Sequence, residues 1–161
     1  MLTNTLIFLA IYVFMNLGTF AVILTMRRGG RMVEEIDALA GLSKTNPLMA
    51  MVLSAFMFSM AGIPPLAGFF GKLYIFQAAI RAELFGLAII GVLASVVAAF
   101  YYIRIVKVMY FDPPEEAFDG PISIEMKSVL FVTFTFIALF IIFPLPLLAG
   151  ASVASASLFG G

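Results

Sequence analysis

The chain has 161 residues, of which 63% are hydrophobic and only 11% charged, with a mean hydropathy of +1.15. A soluble domain would carry roughly a quarter charged residues, so this composition belongs to an integral membrane protein with room for about four or five spans of roughly 20 residues. Net charge is zero, which removes the case for a nucleic-acid partner, and the absence of Cys and His removes iron–sulfur, haem and zinc sites of the usual ligand types.

The first apolar segment, residues 5–26, would extend about 33 Å as a helix and is long enough to cross a bilayer. It has no basic n-region and no A-x-A-like cleavage site, so it reads as a true span and not as a signal peptide. Tyr12, Asn16 and Thr19 share one face, which is expected to look into a helix bundle. Arg27, Arg28 and Arg31 follow around Gly29-Gly30. Residues 33–43 then alternate Glu34, Glu35 and Asp37 with Val33, Ile36, Leu39 and Ala40, the pattern of a short interfacial amphipathic helix.

The second segment, residues 47–80, would reach about 51 Å as one continuous helix against a hydrocarbon core of roughly 30 Å. Gly62, Pro64, Pro65 and Gly68 supply a break, since proline removes amide donors and clashes with the preceding turn. A discontinuous membrane helix broken at Gly62–Pro65 is therefore expected. The third span covers about 84–110, uncharged as far as residue 103, with Tyr101 and Tyr102 where an interfacial aromatic belt belongs. The loop 112–126 is acidic and broken by Pro113, Pro114, Gly120 and Pro121, so it is expected to stay in water. A fourth span is expected over about 128–148, with Pro144 and Pro146 loosening its end, followed by a tail rich in small residues. The fold class expected is thus an all-α, multi-pass membrane protein of about four transmembrane helices forming a single membrane domain.

Orientation follows from the basic residues. Arg27, Arg28, Arg31 and Lys44 lie in the loop after the first span, and Arg104, Lys107 and Lys127 flank the loop after the third. Only Arg81 lies between the second and third spans. This places both basic-flanked loops in the cytoplasm and both chain ends outside.

Lys72 is the one charge between Thr45 and Ile80. A lysine so placed is costly in hydrocarbon, and irregular backbone beside it is tolerated only where it is buried in protein or lines a wet cavity. Measured back from Arg81 it is about 14 Å deep, near the midplane, whereas measured forward from Pro47 along unbroken helix it is about 38 Å along, at the far interface. Both distances hold only if the intervening backbone is unwound or bent. Snorkelling of the ammonium to the headgroups is the plain alternative. Lysine suits proton exchange because a desolvated amine can give up its proton, whereas arginine stays charged. Asn16, Thr19, Ser95 and Thr133, and Thr135 beside it, are weaker candidates for a proton path, since such residues more often make interhelical contacts. Phosphate loops, nucleophile elbows and paired carboxylates are absent from the sequence.

The run Ser59-Met-Ala-Gly-Ile-Pro-Pro-Leu-Ala-Gly-Phe-Phe-Gly-Lys72-Leu-Tyr-Ile-Phe76 resembles the antiporter-like membrane subunits of respiratory complex I, the proton-translocating NADH-quinone oxidoreductase. Tyr12-Val-Phe-Met-Asn-Leu-Gly-Thr-Phe20 and Leu39-Ala-Gly-Leu-Ser43 share the resemblance, which is closest to the C-terminal third of the N-type members. M-type members would carry a glutamate at the position of Lys72. The resemblance implies part of the second of two inverted helix repeats, each with a broken helix. Lys72 matches the lysine on that broken helix, the terminal member of a polar axis on the route by which protons leave. It further implies a bacterial inner-membrane location and other membrane-arm subunits as partners, including antiporter-like neighbours. NADH, flavin, iron–sulfur clusters and quinone would sit in other subunits, leaving neither cofactor, metal nor redox centre in this chain. Complete members are several-fold longer, and the glutamate and lysine of the first repeat and the central lysine have no counterpart here. The chain is therefore expected to be a fragment, a truncated reading frame or a split subunit. A subunit of a cation/proton antiporter or membrane hydrogenase, and a non-transporting structural or assembly subunit, remain open alternatives. A small drug/proton exporter would require an acidic residue inside a span, and every Asp and Glu lies in a loop or at a span edge.

Overall fold

The computed structural model describes residues 2–140. Helix α1 (Leu2–Thr25) leads into a two-residue hairpin, β1 (Arg27–Arg28) and β2 (Arg31–Met32), then a 3-10 turn (Asp37–Leu39) and the short helix α2 (Leu42–Thr45). Helices α3 (Pro47–Ala61), α4 (Ala67–Arg81), α5 (Phe85–Phe111) and α6 (Ile124–Leu139) follow. By length and composition, α1 and α5 can each cross a membrane, and α3 is a shorter apolar helix. The fourth expected span begins earlier than expected, because the Ser123 side chain accepts from the Met126 amide at 3.3 Å and caps α6 there. That shortens the expected loop of 112–126 and puts Lys127 in the first turn of the helix. The rest of that span to 148, Pro144, Pro146 and the tail lie outside the described residues.

The expected interfacial helix over 33–43 does not form. Gly29 and Gly30 take φ of +58° and +75°, the left-handed pair that a two-residue hairpin turn requires, and pair Arg27 with Met32 and Arg28 with Arg31. Val33 extends the hairpin by donating to Met26 O at 2.9 Å. Gly41, at φ +62°, then stops any helix from running through, and a Cβ there would lie 2.3 Å from Pro114 Cα. Of the expected apolar face, Leu39 is buried in the core, Val33 and Ala40 are half-buried and Ile36 is exposed; Leu42 beyond it is also buried.

Contacts along α1 establish how the second segment runs. Asn4 donates to Tyr74 O at 3.2 Å, Gly71 faces Phe8 and Ile11, Met15 meets Gly68 and Ser59, and Gly18 faces Phe56. Passing up α1 therefore means passing down α4 and then down α3. The two run in the same direction as successive halves of one discontinuous helix, as expected, and are not a hairpin.

The buried stripe of α1 is Ile7, Ile11, Met15 and Val22, which packs with Leu53, Phe56 and Met57 of α3 and Ile137 of α6. The polar face expected to look inward flanks this stripe and is only partly covered: Thr19 is half-buried and reaches Met60 of α3, while Tyr12 is 48% exposed. Gly18 lets Phe56 reach the α1 backbone, and Phe14 stacks on Phe136 of α6 with centroids 4.0 Å apart. Helix α5 is apolar all round, with only 6% of its most hydrophobic window buried, so lipid or further helices must cover it.

The two loops at the end opposite the α4–α5 turn lock together. Arg28 bridges to Glu115 at 2.7 Å, donates to Ala38 O at 2.9 Å and lies over the Phe118 ring. Both carboxylate oxygens of Asp119 receive backbone amides, from Gly29 at 3.1 Å and Gly30 at 2.8 Å. Lys107 pairs with Asp112 at the end of α5.

A Cβ at Gly18 would lie 2.1 Å from the tip of the fully buried Phe56 ring. Gly18→Ala should therefore cost about 1–3 kcal/mol by overpacking, read as a lowered thermal midpoint of the detergent-solubilised protein.

Candidate functional site

Helix α3 ends because Gly62 adopts φ +84° and closes the helix with paired backbone bonds. Its amide donates to Ser59 O at 3.0 Å, while Ile63 N donates to Phe58 O at 3.0 Å, the pair of bonds that defines a glycine-terminated Schellman cap. Pro64 and Pro65 cannot continue the helix. Chain direction is recovered at Leu66, but a leucine side chain has no oxygen with which to cap the new helix. Ser59 of α3 supplies it, as its Oγ accepts from the Gly68 amide at 3.0 Å and its hydroxyl lies 3.0 Å from Met15 Sδ.

This joint makes α4 restart beside the last turn of α3 instead of beyond it. Gly68 packs so closely that a Cβ would lie 1.9 Å from Ser59 O. The overlap reconciles the two depths of Lys72. Taking Gly68 as level with Ser59, the path from Pro47 to Arg81 shortens from about 51 Å to about 38 Å, and Lys72 falls about 24 Å from its start and about 14 Å from its end, well inside the span.

The Lys72 side chain points back toward the helix N-terminus, as helical side chains do, and its Nζ donates to Ala61 O at 3.3 Å. Ala61 is the last residue of α3, so its carbonyl is one of those left without an intrahelical partner. The ammonium thus rests on the negative end of a helix dipole. Among the described residues the ion pairs are Arg28–Glu115 and Lys107–Asp112, so the charge of Lys72 is met by backbone and not by a carboxylate.

Two cavities flank the ammonium. One of about 220 Å³ lies between α1, α4 and α5, where Tyr12, Met15, Ser95 and Tyr102 line it with Lys72. The other, of about 370 Å³, lies between α3, α4 and α5, against Ala61, Gly62, Phe76, Ser95 and Lys72. Lys72 and Ser95 line both. Either volume has room for several waters at roughly 30 Å³ each; the polar side chains that could bind them are Lys72, Ser95, Tyr12 and Tyr102 in the first and Lys72 and Ser95 in the second. The arrangement is a single lysine ammonium held on a backbone carbonyl between two mostly apolar spaces. Among the described residues, no group of Asp and Glu is placed to hold a metal ion.

Of the weaker sequence candidates, Ser95 is brought to Lys72. Asn16 spends its amide on Tyr12 O at 2.8 Å, Thr19 bonds Met15 O at 2.9 Å and reaches Met60 Sδ at 3.8 Å, and Thr133 bonds Val129 O at 2.7 Å. None of these three lines either cavity. Ser59 and Tyr102 are the residues that sequence reasoning missed. Tyr102 is not a belt residue like the exposed Tyr101 but turns inward one heptad after Ser95, a spacing that shares a helix face and could have revealed it.

Residues 1–98 match the family model described as NADH:quinone oxidoreductase/Mrp antiporter, transmembrane. Similar curated proteins include NADH-quinone oxidoreductase subunit N of Paramagnetospirillum magneticum, 59% identical over 97% of this chain and 32% of the relative. Subunit N of Rhodospirillum rubrum is 57% identical over 96% of this chain and 32% of the relative. Among solved structures, a chain of respiratory complex I from Thermus thermophilus with bound aureothin superposes with a TM-score of 0.73 at 30% identity, over 88% of this chain and 32% of that one. The chain spans about a third of the length of the relatives it matches.

Gly68→Ala should break the joint, costing about 3 kcal/mol because backbone and not a side-chain tip must move. Gly86→Ala, where nothing lies within 4 Å of the added carbon, is the neutral control. Thermal midpoints of the two purified variants make the comparison.

Proposed function

The chain belongs to the NADH:quinone oxidoreductase/Mrp antiporter transmembrane family, and we propose that it works as part of a proton-translocating subunit in the membrane arm of NADH-quinone oxidoreductase, with Lys72 as the group that takes up and releases the proton. The observation that carries this reading is the Lys72 ammonium, held on Ala61 O at a helix break and bordering two cavities. An ionisable residue inside a span marks an ion or proton route, and an amine can cycle its proton where a guanidinium cannot. Identity of 52–59% to several subunit N sequences supports this branch of the family.

In this reading, water in the two cavities reaches Lys72 from either side. Protonated, the amine is stabilised by the carbonyl end of α3. Neutral, it loses the charge that strengthens its bond to that carbonyl, and Ser95 Oγ and the Tyr102 hydroxyl offer hydrogen bonds to the incoming or outgoing water. The chain contributes to the enzyme as a subunit and carries no redox step, because without Cys or His it has no usual ligands for the electron carriers. NADH, flavin, iron–sulfur clusters and quinone would be held by other subunits, and the partners would be membrane-arm subunits, antiporter-like neighbours included. The distribution of basic residues supports a bacterial inner-membrane orientation with the N-terminus and the α4–α5 turn on the periplasmic side. A cation/proton antiporter subunit is the second reading, since the family description names both activities.

In the parent complex, Lys72→Ala and Lys72→Arg should each lower NADH-driven proton pumping at least about tenfold, because arginine keeps the charge but not the exchangeable proton. Pumping at the wild-type rate in either variant would remove Lys72 from the path, and pumping that requires sodium would favour the second reading. Orientation is tested with single cysteines in this cysteine-free chain. A membrane-impermeant thiol reagent should label Ala82→Cys from the periplasmic side and Arg31→Cys only from the cytoplasmic side.

A further inference from the structure

We infer that Ser59 is a positioning residue for Lys72, capping α4 from the preceding helix and so setting where the lysine amine lies. This inference rests on the proton-carrying reading of Lys72 and adds to it the residue that fixes the geometry.

Helix α4 opens with a deficit. Phe69 N finds Leu66 O at 3.1 Å, but Leu66 offers no side-chain oxygen for the Gly68 amide, and away from water an unpartnered amide is costly. Ser59 is fully buried and is the side chain that meets this need, accepting from Gly68 N at 3.0 Å. The same hydroxyl lies 3.0 Å from Met15 Sδ on α1, so one side chain ties together three helices at the break. Gly68 and Lys72 are four residues apart and share a face of α4. Ser59 and Ala61 belong to the last turn of α3. Fixing Gly68 against Ser59 therefore fixes Lys72 against Ala61 O, where its Nζ rests at 3.3 Å. Without the Ser59 hydroxyl, α4 can rotate or slide along α3, and the amine leaves both its carbonyl partner and the two cavities that share it.

Ser54 provides an internal control. It is also buried on α3, yet its hydroxyl is spent on Ala50 O of its own helix, at 2.7 Å, and holds nothing on α4. The experiment measures NADH-driven proton pumping in the assembled complex for Ser59→Ala, Ser54→Ala, Lys72→Ala and the double variant Ser59→Ala/Lys72→Ala. Ser59→Ala should lower pumping roughly tenfold, the scale expected when a reacting group is misplaced by about an ångström. Ser54→Ala should pump as wild type, and the double variant should match Lys72→Ala alone, because Ser59 acts only through the lysine. A wild-type rate for Ser59→Ala, or a further loss in the double variant, overturns the inference while leaving the role of Lys72 standing. Wild-type pumping by Lys72→Ala removes the underlying reading instead. If Ser59→Ala does not assemble, Ser59→Cys decides the matter. Similar in size but a weaker acceptor, it should give a partial loss that vanishes in the Lys72→Ala background, and full pumping overturns the inference.

Discussion

The carbonyl end of one half-helix and the ammonium of the next meet at the break, and the remaining architecture is arranged to make that meeting possible. Lys72 cannot be left unpartnered in a span, and the last carbonyls of α3 cannot either. Placing one on the other at 3.3 Å meets part of both needs without a carboxylate. The solution demands that α4 restart beside α3, which in turn demands a glycine at 68, a left-handed residue at 62 and a hydroxyl at 59. Sequence, backbone and charge are thus linked at one joint, and the residues that make it are spread over only fourteen positions of the chain.

Other parts of the molecule hold this joint in place. Helix α1 lies against both halves of the broken helix, its small and apolar face meeting Phe56, Ser59, Gly68 and Gly71 in turn. At the far end, Arg28 and Asp119 bind the two loops to one another, which fixes where α1 ends relative to the end of α5. Helix α5 contributes Ser95 to both cavities and Tyr102 to the first while turning an apolar surface outward. A proton-exchanging role for Lys72, as proposed, would need rigid support and room for water together, and the packing of α1 and the two spaces beside the amine are suited to one each.

The break and its lysine were legible in the sequence, because Gly-Ile-Pro-Pro followed by a lone charge permits few other structures inside a membrane. The overlap of the two half-helices was legible only as a contradiction between two distances, since nothing in residues 47–80 states that Gly68 will pack on Ser59. Ser59 is not distinguished in the sequence, because it is one of two serines in an apolar helix and either looks like an ordinary interhelical contact; only the missing cap at Leu66 marks it out. Which face of α1 is most deeply buried is hidden for a related reason. With apolar residues on every side, periodicity cannot choose a face, and the close approach of Gly18 to Phe56 decides it. The loop after α1 went the other way from its amphipathic pattern because two left-handed glycines and Gly41 set the backbone before side-chain spacing can act. Of its expected apolar face, Leu39 reaches the core while Ile36 stays exposed.

The central claim is that Lys72 sits in a hydrated site on the carbonyl end of α3, and a map of the intact parent complex at a resolution that shows ordered water tests it most directly. The account predicts waters in both cavities, with one bridging Lys72 Nζ to Ser95 Oγ and a chain of them reaching the Tyr102 hydroxyl. Lipid tails or apolar side chains filling both cavities, with the ammonium turned away from Ala61 O, would contradict it.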